Sequence, residues 1–127
     1  MGLKGRVTHL QQLAAGESIS YGPTYTTTRP SIIATLPMGY ADGIPRGLSN
    51  QLQGLCDGVR VSQVGTITMD QMMWDVTDVP SVSLGSVITV LDGQTLTLSD
   101  WASRLNTIPY ELMCALRVRL PKIYVRD

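Results

Sequence analysis

Short apolar stretches broken by turn residues run through most of this chain, and that rhythm predicts strands rather than helices. Between Gly5 and Leu13, Val7 and Leu10 stand among polar neighbours ahead of Ala14-Ala15-Gly16-Glu17, a strand running into a turn. Tyr25 to Thr28 is a second strand, closed off by Pro30. Ser31 to Leu36 is apolar and rich in β-branched residues, and Pro37 and Gly39 stop it. From Gly39 to Asn50, Gly, Pro and Asn are too frequent for regular structure, so this long polar stretch between strands is a candidate functional loop. Asp57-Gly58 is a hairpin signal, after which Val59 to Val64 leads through Gly65 into a strand-like run over Thr66 to Val76. Pro80 to Gly85 connects to a further strand over Ser86 to Leu91, and Asp92-Gly93 turns the chain again.

One segment breaks the pattern. Leu98-Ser99-Asp100 opens a helix with Ser99 or Asp100 as cap and with Trp101, Ala102 and Leu105 as its buried stripe, ending near Asn106 and before Pro109. Leu112 to Leu120 then alternates as a last strand, ended by Pro121. The expected fold is mainly β: a small antiparallel, partly open β-barrel or sandwich-like domain with one short helix near residues 99–105.

At 127 residues the chain is long enough for one domain with a real core, residues 1–127, and too short for a complete doubly wound or barrel enzyme. Ten basic and ten acidic residues leave no net charge, which removes the long-range attraction that nucleic acid or an anionic membrane surface would exert. No apolar run approaches the roughly 18 residues of a membrane span. The spacing of Cys56 and Cys114 matches no redox or metal motif, so both are expected as reduced thiols in a cytoplasmic protein, with no metal site. Phe is absent, and Tyr, Trp and Met must supply the bulky core groups, which leaves hydroxyls and indoles in need of partners wherever they are buried.

Four short motifs carry the candidate chemistry: Ser20-Tyr21-Gly22, Gly39-Tyr40-Ala41-Asp42-Gly43, Met69-Asp70-Gln71 and Pro109-Tyr110-Glu111. None contains an obvious nucleophile, metal cluster or phosphate loop, so these residues read as contributions to a pocket shared with another unit. In this order and spacing they resemble the carboxy-terminal β domain of alanine racemase, and the resemblance runs from Leu3-Lys4-Gly5-Arg6-Val7 to Pro121-Lys122-Ile123-Tyr124-Val125. It implies a pyridoxal-phosphate enzyme interconverting L- and D-alanine for peptidoglycan precursors, in which an amino-terminal barrel carries the Schiff-base lysine. That barrel is not in this chain. The β domain would close the site of a second subunit in a head-to-tail homodimer, and alone it is expected to be an excised, inactive domain without bound cofactor.

The resemblance also distributes roles. Tyr21, supported by Gly22, becomes the acid/base on one face of the substrate, opposite the barrel lysine. Met69 offers its backbone N–H to the substrate carboxylate, Tyr110 meets the cofactor phosphate, and Tyr40, Arg46 and Asp70 form the entrance, with Asp42 and Gly43 supporting the loop and Asp42 and Arg46 holding it by charge-assisted hydrogen bonds. A tyrosine titrates near about 10, so Tyr21 can act as a base only beside a stabilising cation, which residues Ser18 to Thr28 do not supply. The bland readings are a ring filling a crevice for Tyr21, a solvent-facing pair for Asp42 and Arg46, and a turn residue for Asp70. Gly39 and Gly43 suit close backbone approach or unusual dihedrals. Three positions depart from many relatives: Pro109 where Asn is common, Thr66 where Arg is common, and Thr68 where Cys is common. The competing functions are a non-catalytic interaction module and a racemase for serine or another small amino acid.

Overall fold

The computed structural model describes residues 2–19, 25–108 and 111–112. Nine strands are present among them: β1 (Leu3–Arg6), β2 (His9–Leu13), β3 (Ser18–Ile19), β4 (Tyr25–Thr26), β5 (Ser31–Leu36), β6 (Gln53–Cys56), β7 (Val59–Val64), β8 (Met72–Asp75) and β9 (Val87–Leu91). One α-helix, α1 (Leu98–Leu105), and two 3-10 turns over Tyr40–Asp42 and Arg46–Leu48 complete the set.

Seven strands form one antiparallel sheet in the order β1-β9-β6-β7-β8-β5-β2, and β3 pairs with β4 separately. The two ends of this sheet order, β1 and β2, are consecutive in the chain and separated by Val7 and Thr8 alone. Two residues span only about 7 Å of extended chain. The sheet must therefore curl until its edges nearly meet. The linker is pinned to both flanks, since Val7 N–H donates to Ser86 O at 2.8 Å and Thr8 N–H to Thr35 O at 3.0 Å. The expected partly open barrel is what forms, with the predicted Gly5–Leu13 strand split where the chain changes edges.

The concave face holds the main core, including Ala34, Leu36, Ile44, Leu48, Leu52, Val61, Ile67, Trp74, Ile88 and Trp101. Ser31–Leu36 matches its predicted bounds and is buried almost throughout, because its other face is also covered: Ile33 packs with Val64 and Met73 beneath Ile19 and Tyr25 of the β3–β4 pair. A continuous apolar run is what a strand buried on both sides requires. Asp57 and Gly58, both with positive φ, close the predicted β6–β7 hairpin.

Three expectations change. The helix cap is Thr97, whose hydroxyl accepts the Asp100 N–H at 3.2 Å; Asp100 instead sits in the first turn and pairs with Arg104. The run from Thr66 to Val76 is not one strand, because Thr68 and Gln71 close a turn that interrupts it. Leu112 is helical together with Glu111, so the predicted last strand does not begin there, and its remainder lies outside the described residues. Cys56 is a free buried thiol whose pKa is raised, chiefly by burial and then by the nearby Asp57 carboxylate. Trp74 is fully buried, and its indole N–H has no acceptor among the described residues.

Candidate functional site

The residues from Gly39 to Asn50 and those from Gly65 to Gln71 lie side by side as a single lip. Tyr40 N–H donates to Thr68 O and Ala41 N–H to Met69 O, each at 2.9 Å. Such contact demands glycine at position 39. A Cβ there would run into the Thr68 carbonyl oxygen and come within 2.8 Å of the Met69 carbonyl carbon. Gly43 ends the first 3-10 turn at φ 97°, a left-handed conformation that glycine adopts without steric cost. Both glycines thus do what their positions suggested.

Asp42 turns inward. Its carboxylate accepts the Gly39 N–H at 3.0 Å while its own N–H donates to Gly39 O, also at 3.0 Å, so the side chain clamps the turn that presents Tyr40. The expected Asp42–Arg46 pair is not among the ion pairs of the described residues, which join Arg29 to Asp75 and Asp78 and Arg104 to Asp100. Arg46 is exposed, and its carbonyl accepts the Ser49 hydroxyl at 2.7 Å.

On the facing segment, the Thr68 hydroxyl donates to Gln71 O at 3.0 Å and the Thr68 N–H donates to the same oxygen at 3.0 Å. This tight turn lifts Met69 and Asp70 to its tip, and a cysteine in place of Thr68 would be a weaker partner. Tyr40 and Met69, 45% and 55% exposed, are two of the four large apolar side chains left open to solvent among the described residues, and the hydrogen bonds place them on adjoining backbone. The N–H groups of Met69 and Asp70 donate to no acceptor among the described residues. Two successive free N–H groups on a rigid turn suit an anionic oxygen.

The β3–β4 pair packs on the opposite face of the sheet, over Ile33 and Val64. Tyr21 and Gly22 fall in the connection between β3 and β4 and lie outside the described residues, as do Pro109 and Tyr110. The hairpin that carries that connection is anchored by Ile19 and Tyr25 in the second core and by Thr27, whose hydroxyl donates to Ala14 O at 2.7 Å. No group of three or more His, Cys, Asp or Glu is assembled to hold a metal among the described residues, and no helix among them is long and apolar enough to cross a membrane.

The sequence reading missed Gln63, Ser49 and Asn50, which tie the far end of the lip together. Gln63 falls at an inward position of β7, and a buried amide in an otherwise apolar register was the signal that could have exposed it.

The family model for the alanine racemase C-terminal domain matches residues 1–124. The chain belongs to the alanine racemase C-terminal domain family. An alanine racemase of Symbiobacterium thermophilum is 47% identical over 124 residues, covering 95% of this chain and 33% of that protein. One from Nostoc sp. is 42% identical over 126 residues, covering 97% of the chain and 33% of that protein. The solved alanine racemase of Streptomyces coelicolor A3(2) superposes with a TM-score of 0.88 at 32% identity, covering 99% of this chain and 33% of that one. This C-terminal domain therefore spans about a third of the length of the relatives it matches.

Proposed function

We propose that this domain forms one wall of a site that interconverts L- and D-alanine, joined to an amino-terminal barrel domain and facing the barrel of a second subunit. The observation that supports this most is the exposed, internally braced lip on which Tyr40 adjoins the free N–H groups of Met69 and Asp70. An exposed Tyr beside an anion-accepting turn suits a small amino acid whose carboxylate must be fixed while its side chain is kept short.

The reaction moves the proton of an α-carbon, which is too weakly acidic for a side-chain base unless the electron pair is delocalised. Pyridoxal phosphate, when bound, supplies that delocalisation. Of this chain's residues Tyr110 would meet the phosphate, and the Schiff-base lysine would come from the barrel. Met69 N–H holds the carboxylate, and because that contact changes little as the proton moves, it contributes to binding more than to turnover. Tyr21 takes the proton from one face or returns it there, and a cation from the facing barrel keeps its phenolate available. Tyr40, with Asp70 and Arg46 beside it, limits what enters. The chain alone lacks the opposite wall and is inactive by this reading, and its setting is cytoplasmic.

The test is Tyr21→Phe in a full-length racemase carrying this domain. Loss of a positioned acid/base should lower kcat by roughly 100-fold or more while KM moves far less. An unchanged kcat would remove Tyr21 from proton transfer.

A further inference from the structure

The lip has no sheet of its own. β7 ends at Val64, and from Gly65 to Gln71 the chain is held by the Thr68–Gln71 turn and by the neighbouring loop. Five hydrogen bonds join the two segments in sequence order. At one end Asn50 N–H donates to Gln63 Oε1 at 2.7 Å, and Gly65 N–H donates to Asn50 Oδ1 at 2.6 Å. Next, Ile67 N–H donates to the Ser49 hydroxyl at 2.9 Å, and that hydroxyl donates onward to Arg46 O. At the other end stand the bonds from Tyr40 to Thr68 and from Ala41 to Met69. Position by position, Gln63, Gly65, Ile67, Thr68 and Met69 are each tied to the loop that bears Tyr40.

Within this ladder Gln63 is the member rooted in the sheet. Its N–H donates to Leu52 O at 3.0 Å, it stands opposite Trp74 in the β7–β8 register, and its side chain is 1% exposed. Its Nε2 donates to Val64 O at 3.0 Å and to Gly65 O at 2.9 Å, so the amide holds the carbonyls at the point where the chain leaves the sheet. Both N–H bonds and one acceptor site of the amide are thus used. Asn50, at φ 64°, accepts the left-handed conformation that turns its side chain and its N–H toward this one place.

We infer that Gln63 is a positioning residue for the substrate entrance: its amide fixes the root of the ladder and thereby sets where Tyr40 and the Met69 N–H stand. This rests on the proposed function for its catalytic consequence. It does not rest on it for the mechanical one. An apolar side chain at position 63 would fill the same space while freeing the Asn50 N–H and the Val64 and Gly65 carbonyls, and the exposed tip would lose its reference to the sheet.

The experiment compares Gln63→Leu with Val61→Ala, a buried core change two residues earlier on the same strand that touches none of the ladder. In the full-length racemase, Gln63→Leu should raise KM for L-alanine by about 10-fold, leave kcat within about 3-fold, and raise the relative use of L-serine, while Val61→Ala should lower thermal stability alone. In this 127-residue chain, amide exchange at Tyr40 and Ala41 should accelerate in Gln63→Leu and not in Val61→Ala. Should Gln63→Leu fail to fold, Ser49→Ala, which removes one rung from a partly exposed position, should shift the same quantities in the same direction by less. Equal KM shifts in the two variants, or unchanged exchange at Tyr40 and Ala41, overturn the inference. If exchange accelerates while Tyr40→Ala itself alters neither KM nor the serine preference, the brace stands and the entrance assignment falls.

Discussion

Gln63 and Trp74 stand opposite each other across β7 and β8, both sealed from water and both carrying N–H donors. Directly opposed residues of an antiparallel pair share a face, so the two side chains enter the same region of the protein. Yet the Gln63 amide is bonded on three sides, whereas the Trp74 indole N–H meets no acceptor among the described residues. The difference separates two uses of a buried polar side chain. Trp74 is kept for apolar area: Gly54 leaves room for its ring, where a Cβ would come within 2.9 Å of Cζ3. Gln63 is kept for what it holds, a piece of chain beyond the reach of the sheet.

The contrast can be broken most severely at the far end of the ladder. Gly39→Ala forces a methyl group against the backbone of Thr68 and Met69, which cannot yield as a side-chain tip would, and should cost roughly 3 kcal/mol or more. Urea unfolding of the chain measures it, and a loss below about 1 kcal/mol would mean that the two strips of the lip separate easily. Gln63→Leu should cost about 2–3 kcal/mol, since it strands one donor and two acceptors while adding apolar contact. Trp74→Phe should fall within about 1 kcal/mol of the parent, because the area lost with the smaller ring is offset by removing a donor without a partner. A loss above about 3 kcal/mol would show that the indole N–H is satisfied in solution, and the contrast between the two residues would disappear.

How far this was legible in the sequence depended on whether a signal was local. Ser31–Leu36 and the Asp57-Gly58 turn were readable because burial and turn chemistry are written in neighbouring residues. The glycines at 39 and 43 announced close approach and positive φ, though not that the approach was to Thr68 and Met69. Met69-Asp70-Gln71 was read as strand because its flanks are apolar; only the Thr68–Gln71 hydrogen bonds, which depend on the chain doubling back, make it a turn. Gln63 went unread for a related reason. Its partners Asn50 and Gly65 are supplied by topology, and a glutamine in an alternating strand otherwise looks like a residue on the wet face.

A polar side chain can organise a turn at a half-buried position as well, and Asp92 offers the mildest test of what full burial adds. Its Oδ1 accepts the N–H groups of Gln94 at 2.8 Å, Thr95 at 2.9 Å and Leu96 at 2.8 Å, and its Oδ2 accepts the Thr95 hydroxyl at 2.9 Å. These donors, the Leu96 and Gln94 N–H groups foremost, lower its pKa to about 2. Because the folded value lies below the unfolded one of about 3.9, the native state binds the proton less readily than the unfolded state does. The stabilisation is therefore complete above about pH 4 and is lost as the pH falls towards 2. Asp92→Asn keeps one acceptor oxygen and removes the charge, so its thermal midpoint should lie slightly below the parent's at pH 7 and draw level near pH 2. Water reaches the carboxylate and competes for its bonds, and the gap at neutral pH should be smaller than any of the changes above. Parallel melting curves at pH 7 and near pH 2 decide it: a gap that persists unchanged at low pH would mean that shape rather than charge holds this turn, as it does for the neutral amide of Gln63.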